Sequence, residues 1–438
     1  MDRPLGVDLF AGAGGLSLGF EQAGFDIVAA VERDPVHAAV HLFNFPRCAV
    51  LPQSVSDVTG DDIRKAAGIG DRKVHVVFGG APCQGFSLIG QRALDDPRNG
   101  LVLEFVRLVV ELDADYFVFE NVKGLTVGRH RKFLRELIAE FEGRGYRVKE
   151  PWRVLNANQF GVPQSRERLI LFGAKKGEVL PQYPSPLTVP GPAEGSELSL
   201  LPPAPTCEEA LGDLPEAEWF ATLTSDDEVR TTRWGPPSAY AAEMRCDTPG
   251  SWHRGYPRVF DREVLTSSQR TDHTDISRRR FGETAPGTVE PISRFFRLPP
   301  DGQSNTLRAG TDSSRGAFTS PRPIHYARQR CVTVREMARL HGFPDWFRFH
   351  KTKWHGARQV GNAVPPPMAR AVAESVLAAV GGSRALGDPE SIELGDSELL
   401  GLGMREASEF FGIEVPISGR DRKSGAKKRK QEEIEALR

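Results

Sequence analysis

The sequence predicts an α/β fold: a doubly wound, largely parallel sheet joined to a second, smaller and irregular domain. Three observations predict it. Over the first 175 residues, short β-branched or aromatic runs alternate with amphipathic runs, the pattern of βαβ units. The first apolar run leads directly into a glycine-rich turn, Gly12 to Gly15, as in Rossmann-like sheets. From about Lys175 the periodic segments stop and Pro181, Pro184, Pro186, Pro190 and Pro192 crowd together.

In chain order, Gly6 to Leu9 reads as the first strand. Leu16, Phe20 and Ala23 then fall at helical spacing until Gly24, and Asp26 to Val31 is the second strand. Further strands are expected at Val74 to Phe78, Tyr116 to Glu120 and Leu169 to Phe172. Between them, Leu101, Phe105, Leu108 and Leu112 share one helix face, and Phe133, Leu137 and Phe141 share another. After the proline-rich stretch, order returns at Thr333 to His341, where Thr333 and Glu336 form a capping box. A final helix follows Pro367, with Ala369, Val372, Val376 and Val380 on its apolar face. The expected divisions are 1–175, 176–328, a returning segment 329–381, and a polar, partly basic tail 382–438.

Composition limits the function. With 57 Lys plus Arg against 58 Asp plus Glu, the net charge of −1 makes no general polyanion binder, so any nucleic-acid contact must come from local basic patches. The five cysteines include no C-x-x-C pair, which argues against a disulfide framework or a cysteine zinc site and for a reducing cytoplasm; no metal site is expected. The most apolar stretch, Leu101 to Phe119, carries five charged residues, so no membrane span is expected.

The strand, then Phe10-Ala11-Gly12-Ala13-Gly14-Gly15, then helix, is a nucleotide-cofactor turn. Ser17 stands where a dinucleotide fingerprint needs its third glycine, which weakens a nicotinamide or flavin reading. Glu32, about 20 residues on, is placed to accept from both ribose hydroxyls. Asp57 can accept from an adenine amino group or simply be a solvated surface acid. Pro82-Cys83-Gln84-Gly85-Phe86-Ser87 puts a cysteine on a loop after a strand, where open sheets bind ligands. A lone cysteine is more often a small buried hydrophobe, but turn-forming and polar flanks tilt Cys83 toward a reactive thiolate. Glu120 ends a hydrophobic strand as a cap or an acid able to donate to a ring nitrogen. Arg166 and Arg168, at i and i+2, point to one side of another strand and by themselves read as a surface salt-bridged pair.

In order, these motifs resemble the DNA (cytosine-5) methyltransferase family of bacterial type. Also part of the match are Arg335-Glu336 with Gly342-Phe343-Pro344, and Gly361-Asn362-Ala363-Val364-Pro365. The resemblance covers roughly residues 5–175 and 320–380 and implies a class I methyltransferase fold. It implies transfer of the methyl group of S-adenosylmethionine to carbon 5 of cytosine. Cys83 would attack carbon 6, Glu120 would hold the ring near nitrogen 3, and Arg166 and Arg168 would fix the base and the phosphate side. The target base must be flipped from the duplex, and the loop from Cys83 to about Arg98 would close over it. Ser87, Gln91 and Arg92 on that loop would touch DNA. For the cofactor the match implies Phe10 on the adenine, Gly12, Gly14 and Leu16 at the methionine part, and Glu32 on the ribose. Asp57 and Val58 would sit at the adenine, with Pro82, Leu101, Asn362 and Val364 lining the rest. Asn362 then requires the last helix to fold back on the first domain. Arg33 departs from the family, standing where many relatives place an aromatic or aliphatic residue.

Residues 176–328 stand in the place of the family's target-recognition domain. Arg254, Arg258, Arg278, Arg279, Arg294 and Arg308, interleaved with Trp252, Tyr256 and Phe295, are the expected DNA contacts. The run Arg420 to Lys430, with seven basic residues in eleven, reads as a solvated tail rather than a phosphate-binding arm. The rivals are an RNA (tRNA) cytosine-5 methyltransferase, against which the long Arg-rich middle region speaks, and a catalytically silent DNA-binding protein on the same scaffold. The resemblance further implies a restriction-modification or related defence role with partner proteins and duplex DNA as substrate; action as a monomer is expected because one flipped base needs one pocket.

Overall fold

The computed structural model describes residues 3–82, 99–128, 130–191, 200–310, 320–381 and 390–415. The chain lays down β1 (Leu5–Leu9), α1 (Gly15–Ala23), β2 (Asp26–Val31), α2 (Pro35–Asn44), β3 (Ala49–Leu51), α3 (Gly60–Ala67), β4 (Val76–Gly79), α4 (Gly100–Glu111) and β5 (Tyr116–Val122) in alternation. After α5 (His130–Gly143) come β6 (Tyr146–Val148), β7 (Arg153–Asn156) and β8 (Glu167–Lys175). The strand order is β3-β2-β1-β4-β5-β8-β6, with β7 pairing alongside β6 on β8. The strands from β3 to β5 pair in parallel, whereas β8 runs antiparallel to β5. The expected doubly wound, mainly parallel sheet is therefore the fold.

Side-chain alternation explains how the sheet is covered on both faces. Tyr116 and Val118 of β5 join a core with Phe20, Phe78 and Phe172, while Phe117 and Phe119 join a second core with Phe105, Phe133 and Phe141. Two helices that the apolar pattern did not single out are set by their caps. Asp34 Oδ1 accepts from Val36 N ahead of Pro35, and Thr59 and Asp62 form a capping box on α3.

The middle region is built of short pieces: α6 (Cys207–Leu211), β9 (Val229–Arg230), α7 (Ala239–Met244), β10 (Arg258–Val259), β11 (Val264–Leu265) and α8 (Asp275–Glu283). Among the described residues its own apolar clusters are small, and Cys207, Leu211, Tyr240, Met244 and Leu298 join the core that covers one face of the sheet. Buried ion pairs complete the join: Arg339 of α9 (Val334–Leu340) binds Asp213 at 3.0 Å, and Arg330 binds Glu216 at 2.8 Å.

The chain then returns through α10 (Lys353–Asn362) to α11 (Pro366–Ala379), which packs on α1 as the position of Asn362 requires. The approach is close enough to demand glycine: a Cβ on Gly19 would stand 2.3 Å from the Cβ of Ala369. The expected tail needs correction. Ile392–Glu393 forms β12, paired in parallel with β10, and Met404–Phe411 forms α12, packed on α2. Leu399, Leu400 and Ala407 supply the buried apolar surface that holds a segment otherwise rich in Gly, Asp and Glu. No described helix is long and apolar enough to cross a membrane.

Candidate active site

The carboxyl ends of β1, β2, β4 and β5 open into a cavity of about 890 Å³. Its floor is the turn after β1, where Phe10, Gly12 and Gly14 all have positive φ, at 62°, 57° and 103°. The left-handed backbone lets Gly14 N donate to Ala11 O and aims α1 back beneath the sheet. A Cβ on Gly12 would meet nothing within 4 Å, whereas one on Gly15 would stand 2.5 Å from Val364 O, so the 361–365 segment lies directly on the turn. From β2, Glu32 accepts from Gly12 N and Asp34 N, each at 2.8 Å, one on each oxygen. Burial raises its pKa, opposed first by the neighbouring His37 ring and then by the two backbone hydrogen bonds. Each oxygen retains acceptor capacity for a second donor.

On the opposite wall, Glu120 of β5 meets Arg168 of β8, with Nε 2.8 Å from Oε1. The pair is diagonal in the antiparallel register, since Glu120 faces Ile170 and Val122 faces Arg168. Burial raises the Glu120 pKa despite the opposing pull of Arg168 and Arg166. Asn121 Nδ2 donates to Ala81 O at 2.8 Å and so anchors the start of the loop that continues through Pro82, which lines the cavity. Cys83, Ser87, Gln91 and Arg92 lie outside the described residues.

The C-5 cytosine-specific DNA methylase model matches residues 6–378. The chain belongs to that family. It is 55% identical to the type II methyltransferase M.XorII of Xanthomonas oryzae over 420 residues, covering 96% of this chain and 95% of the relative. It is 35% identical to the type II methyltransferase M1.HphI of Haemophilus parahaemolyticus, covering 85% and 86%. A crystal structure of a prophage-encoded E. coli protein assigned as a DNA modification methyltransferase superposes with a TM-score of 0.69 at 30% identity, covering 86% of this chain and 99% of that one. The protein is a DNA cytosine-5 methyltransferase.

Most of the methyltransferase's expected catalytic and cofactor residues meet in the one cavity. Phe10, Gly12, Leu16, Glu32, Pro82, Leu101, Asn362 and Val364 line it together with Glu120, Arg166 and Arg168. Three cofactor expectations are placed elsewhere. Gly14 serves the turn, where a Cβ would stand 2.4 Å from the Phe45 ring. Val58 is buried in the core with its carbonyl accepting from Arg107, and Asp57 lines a separate, adjoining cavity. Asp34, the N-cap of α2, His37 of α2, and Arg358 and Gln359 of α10 also line the main cavity and were not anticipated, because no local motif marks them.

Two arginines have structural partners that redefine them. Arg166 is 1% exposed, and its two terminal nitrogens donate to Leu307 O at 2.9 Å and Gly361 O at 2.8 Å. It therefore braces the end of the middle region against the 361–365 segment, leaving Arg168 as the guanidinium beside Glu120. Arg258, expected on DNA, is buried at 4% exposure and grips both oxygens of Glu21, at 3.0 and 2.8 Å, so it is withdrawn from the DNA contacts. Arg278 pairs with Glu218 at 2.6 Å. Arg254 is exposed, but its backbone is tied to Arg3 and Gln22 beside α1. Arg279 and Arg294 are exposed, as is Arg308, which directly precedes Ala309 and Gly310 on the cavity wall.

Proposed function

We propose that the methyltransferase acts on a cytosine flipped out of duplex DNA, through a covalent adduct with Cys83. Glu120, buried beside Arg168 and facing the glycine turn across one cavity, is the observation that carries this reading. Cytosine carbon 5 is a poor nucleophile, and addition of the Cys83 thiolate to carbon 6 makes it reactive. A Glu120 carboxyl whose pKa is raised by burial holds the proton that nitrogen 3 needs as the adduct forms. Arg168 fixes the orientation of that carboxyl. After methyl transfer, loss of the carbon-5 proton and elimination of Cys83 release the product.

The residues present suit S-adenosylmethionine. An open glycine floor at Gly12, a carboxylate with spare acceptor capacity at Glu32, and the Phe10 ring line one side of the cavity, while Asn362 and Val364 line the other. When bound, the cofactor supplies an activated methyl group. Flipping the base costs roughly a few kcal/mol, which contacts to the DNA strands must repay. Arg308 at the cavity rim, with Arg279 and Arg294, is assigned to such contacts. A protective role beside a restriction nuclease, and action as a monomer, complete the proposal. Because the match to M.XorII spans the middle region as well as the catalytic core, the same target sequence is expected for both proteins.

The test is transfer of labelled methyl from S-adenosylmethionine to duplex DNA and to transfer RNA in parallel, with Cys83→Ser beside the wild type, followed by mapping of the modified cytosines. Label in DNA that disappears in Cys83→Ser is the expected result. Label confined to RNA would overturn the substrate, and near-normal methylation by Cys83→Ser would overturn the nucleophile.

A further inference from the structure

The segment 404–414 lies beyond the residues matched by the family, which end at 378, yet it reaches the cofactor side of the molecule. After β12, Gly395 N donates to Phe43 O at 2.9 Å, at the carboxyl end of α2. The chain is then pinned to the 350–351 turn, where Lys351 N donates to Leu400 O at 2.9 Å and a His350 ring nitrogen lies 3.1 Å from Leu402 O. Helix α12 packs along α2 and ends at Gly412, whose φ of 66° turns the chain so that Ile413 N caps Ser408 O at 3.0 Å. From Gly395 to Glu414 the chain thus runs from the carboxyl end of α2 to its other end, beside Arg33.

There Ile413 and Glu414 line a second cavity of about 390 Å³ with Arg33, Gln53, Ser54 and Asp57. Arg33, Gln53 and Ser54 also line the main cavity, so the two spaces adjoin across these three residues. Asp57, which the sequence places at the adenine, borders the outer space alone. The outer cavity therefore extends the end of the site reached past the Glu32 carboxylate. Its lining combines two apolar side chains, Ile413 and Pro52, with an amide, a hydroxyl, a guanidinium and two carboxylates. That set suits a flat, uncharged heterocycle carrying both donors and acceptors.

We propose that the C-terminal segment forms the outer wall of the adenine subsite, with Ile413 packing on the purine and Glu414 at its polar edge. This rests on the reading of the main cavity as the S-adenosylmethionine site. The ligand class is the adenosine moiety, and residues outside the family's catalytic core thereby help to set cofactor affinity.

Titration calorimetry of the full chain with S-adenosylhomocysteine and with adenosine tests it, on wild type, Ile413→Asp and Ile413→Leu. Ile413→Asp is expected to weaken both ligands by a similar factor, about tenfold, the scale of losing one apolar side-chain contact. Ile413→Leu should bind as wild type does, and all three proteins should unfold at the same temperature without ligand. If wild type binds S-adenosylhomocysteine and Ile413→Asp binds it equally well, the wall is overturned while the cofactor reading stands. If wild type binds neither ligand, the cofactor reading itself fails and the wall falls with it. A loss for S-adenosylhomocysteine that adenosine does not share would place the effect away from the purine and also overturn the proposal.

Discussion

Arg168 Nε lies 2.8 Å from Glu120 Oε1, a pairing across two antiparallel strands that brings one fixed cation to a buried carboxylate. Burial raises the Glu120 pKa, and Arg168 is foremost among the groups opposing the shift. Both statements bear on how activity depends on pH.

An acid with a raised pKa keeps its proton to higher pH, so a step that needs protonated Glu120 fails as pH climbs through that raised value. Arg168→Gln removes the nearest lowering charge. The alkaline fall of the single-turnover rate should then move to higher pH, while the plateau drops roughly tenfold or more for loss of an oriented charged contact. An unmoved limb would mean that ionisation of Glu120 does not govern the rate.

Arg166→Met should act on stability as well as on the site. It strips donors from Leu307 O and Gly361 O, two buried carbonyls, at about 1–3 kcal/mol each. Denaturant unfolding should register the loss, and cofactor affinity should fall with it because Gly361 to Val364 line the cavity.

Arg258 and Arg308 should separate cleanly. Breaking the buried Glu21 pair with Arg258→Met should cost about 3–5 kcal/mol and leave the DNA affinity of the folded protein unchanged. Arg308→Ala should leave unfolding unchanged, weaken DNA binding and reduce the salt slope by about 1. DNA titrations at several salt concentrations, beside unfolding curves, decide both.

Asp8 offers a stability test. It is fully buried, accepts from Ser17 Oγ at 2.6 Å, and has its pKa raised to about 8, chiefly by burial. The folded state therefore holds a proton that the unfolded chain releases near pH 4, and stability is lost as pH rises from about 4 to 8. Asp8→Asn should be more stable to unfolding than wild type at pH 8, by on the order of a few kcal/mol. The gap should close toward pH 4, and a gap independent of pH would contradict the assignment.

The local signals reached far into this protein. β1, β2 and β5 were readable because two buried faces require runs of Val, Ile and Phe, and the Thr333–Glu336 cap because its partners are three residues apart. The glycine turn, Glu32 and Glu120 were readable because each stands at a strand end, where an open sheet binds ligands. Helix α12 was not: its few apolar residues amount to a helix only once α2 is there to cover them.

What the sequence by itself determined was the sheet, the order of its motifs and the chemistry they imply, since these depend on spacings of a few residues. What only the tertiary structure decided was the use of each arginine. Along the chain Arg166 looks like one of a surface pair and Arg258 like a nucleic-acid contact, yet their partners lie 195 and 237 residues away. A guanidinium takes its role from whichever acceptors burial places around it, and that choice is made only when distant segments pack.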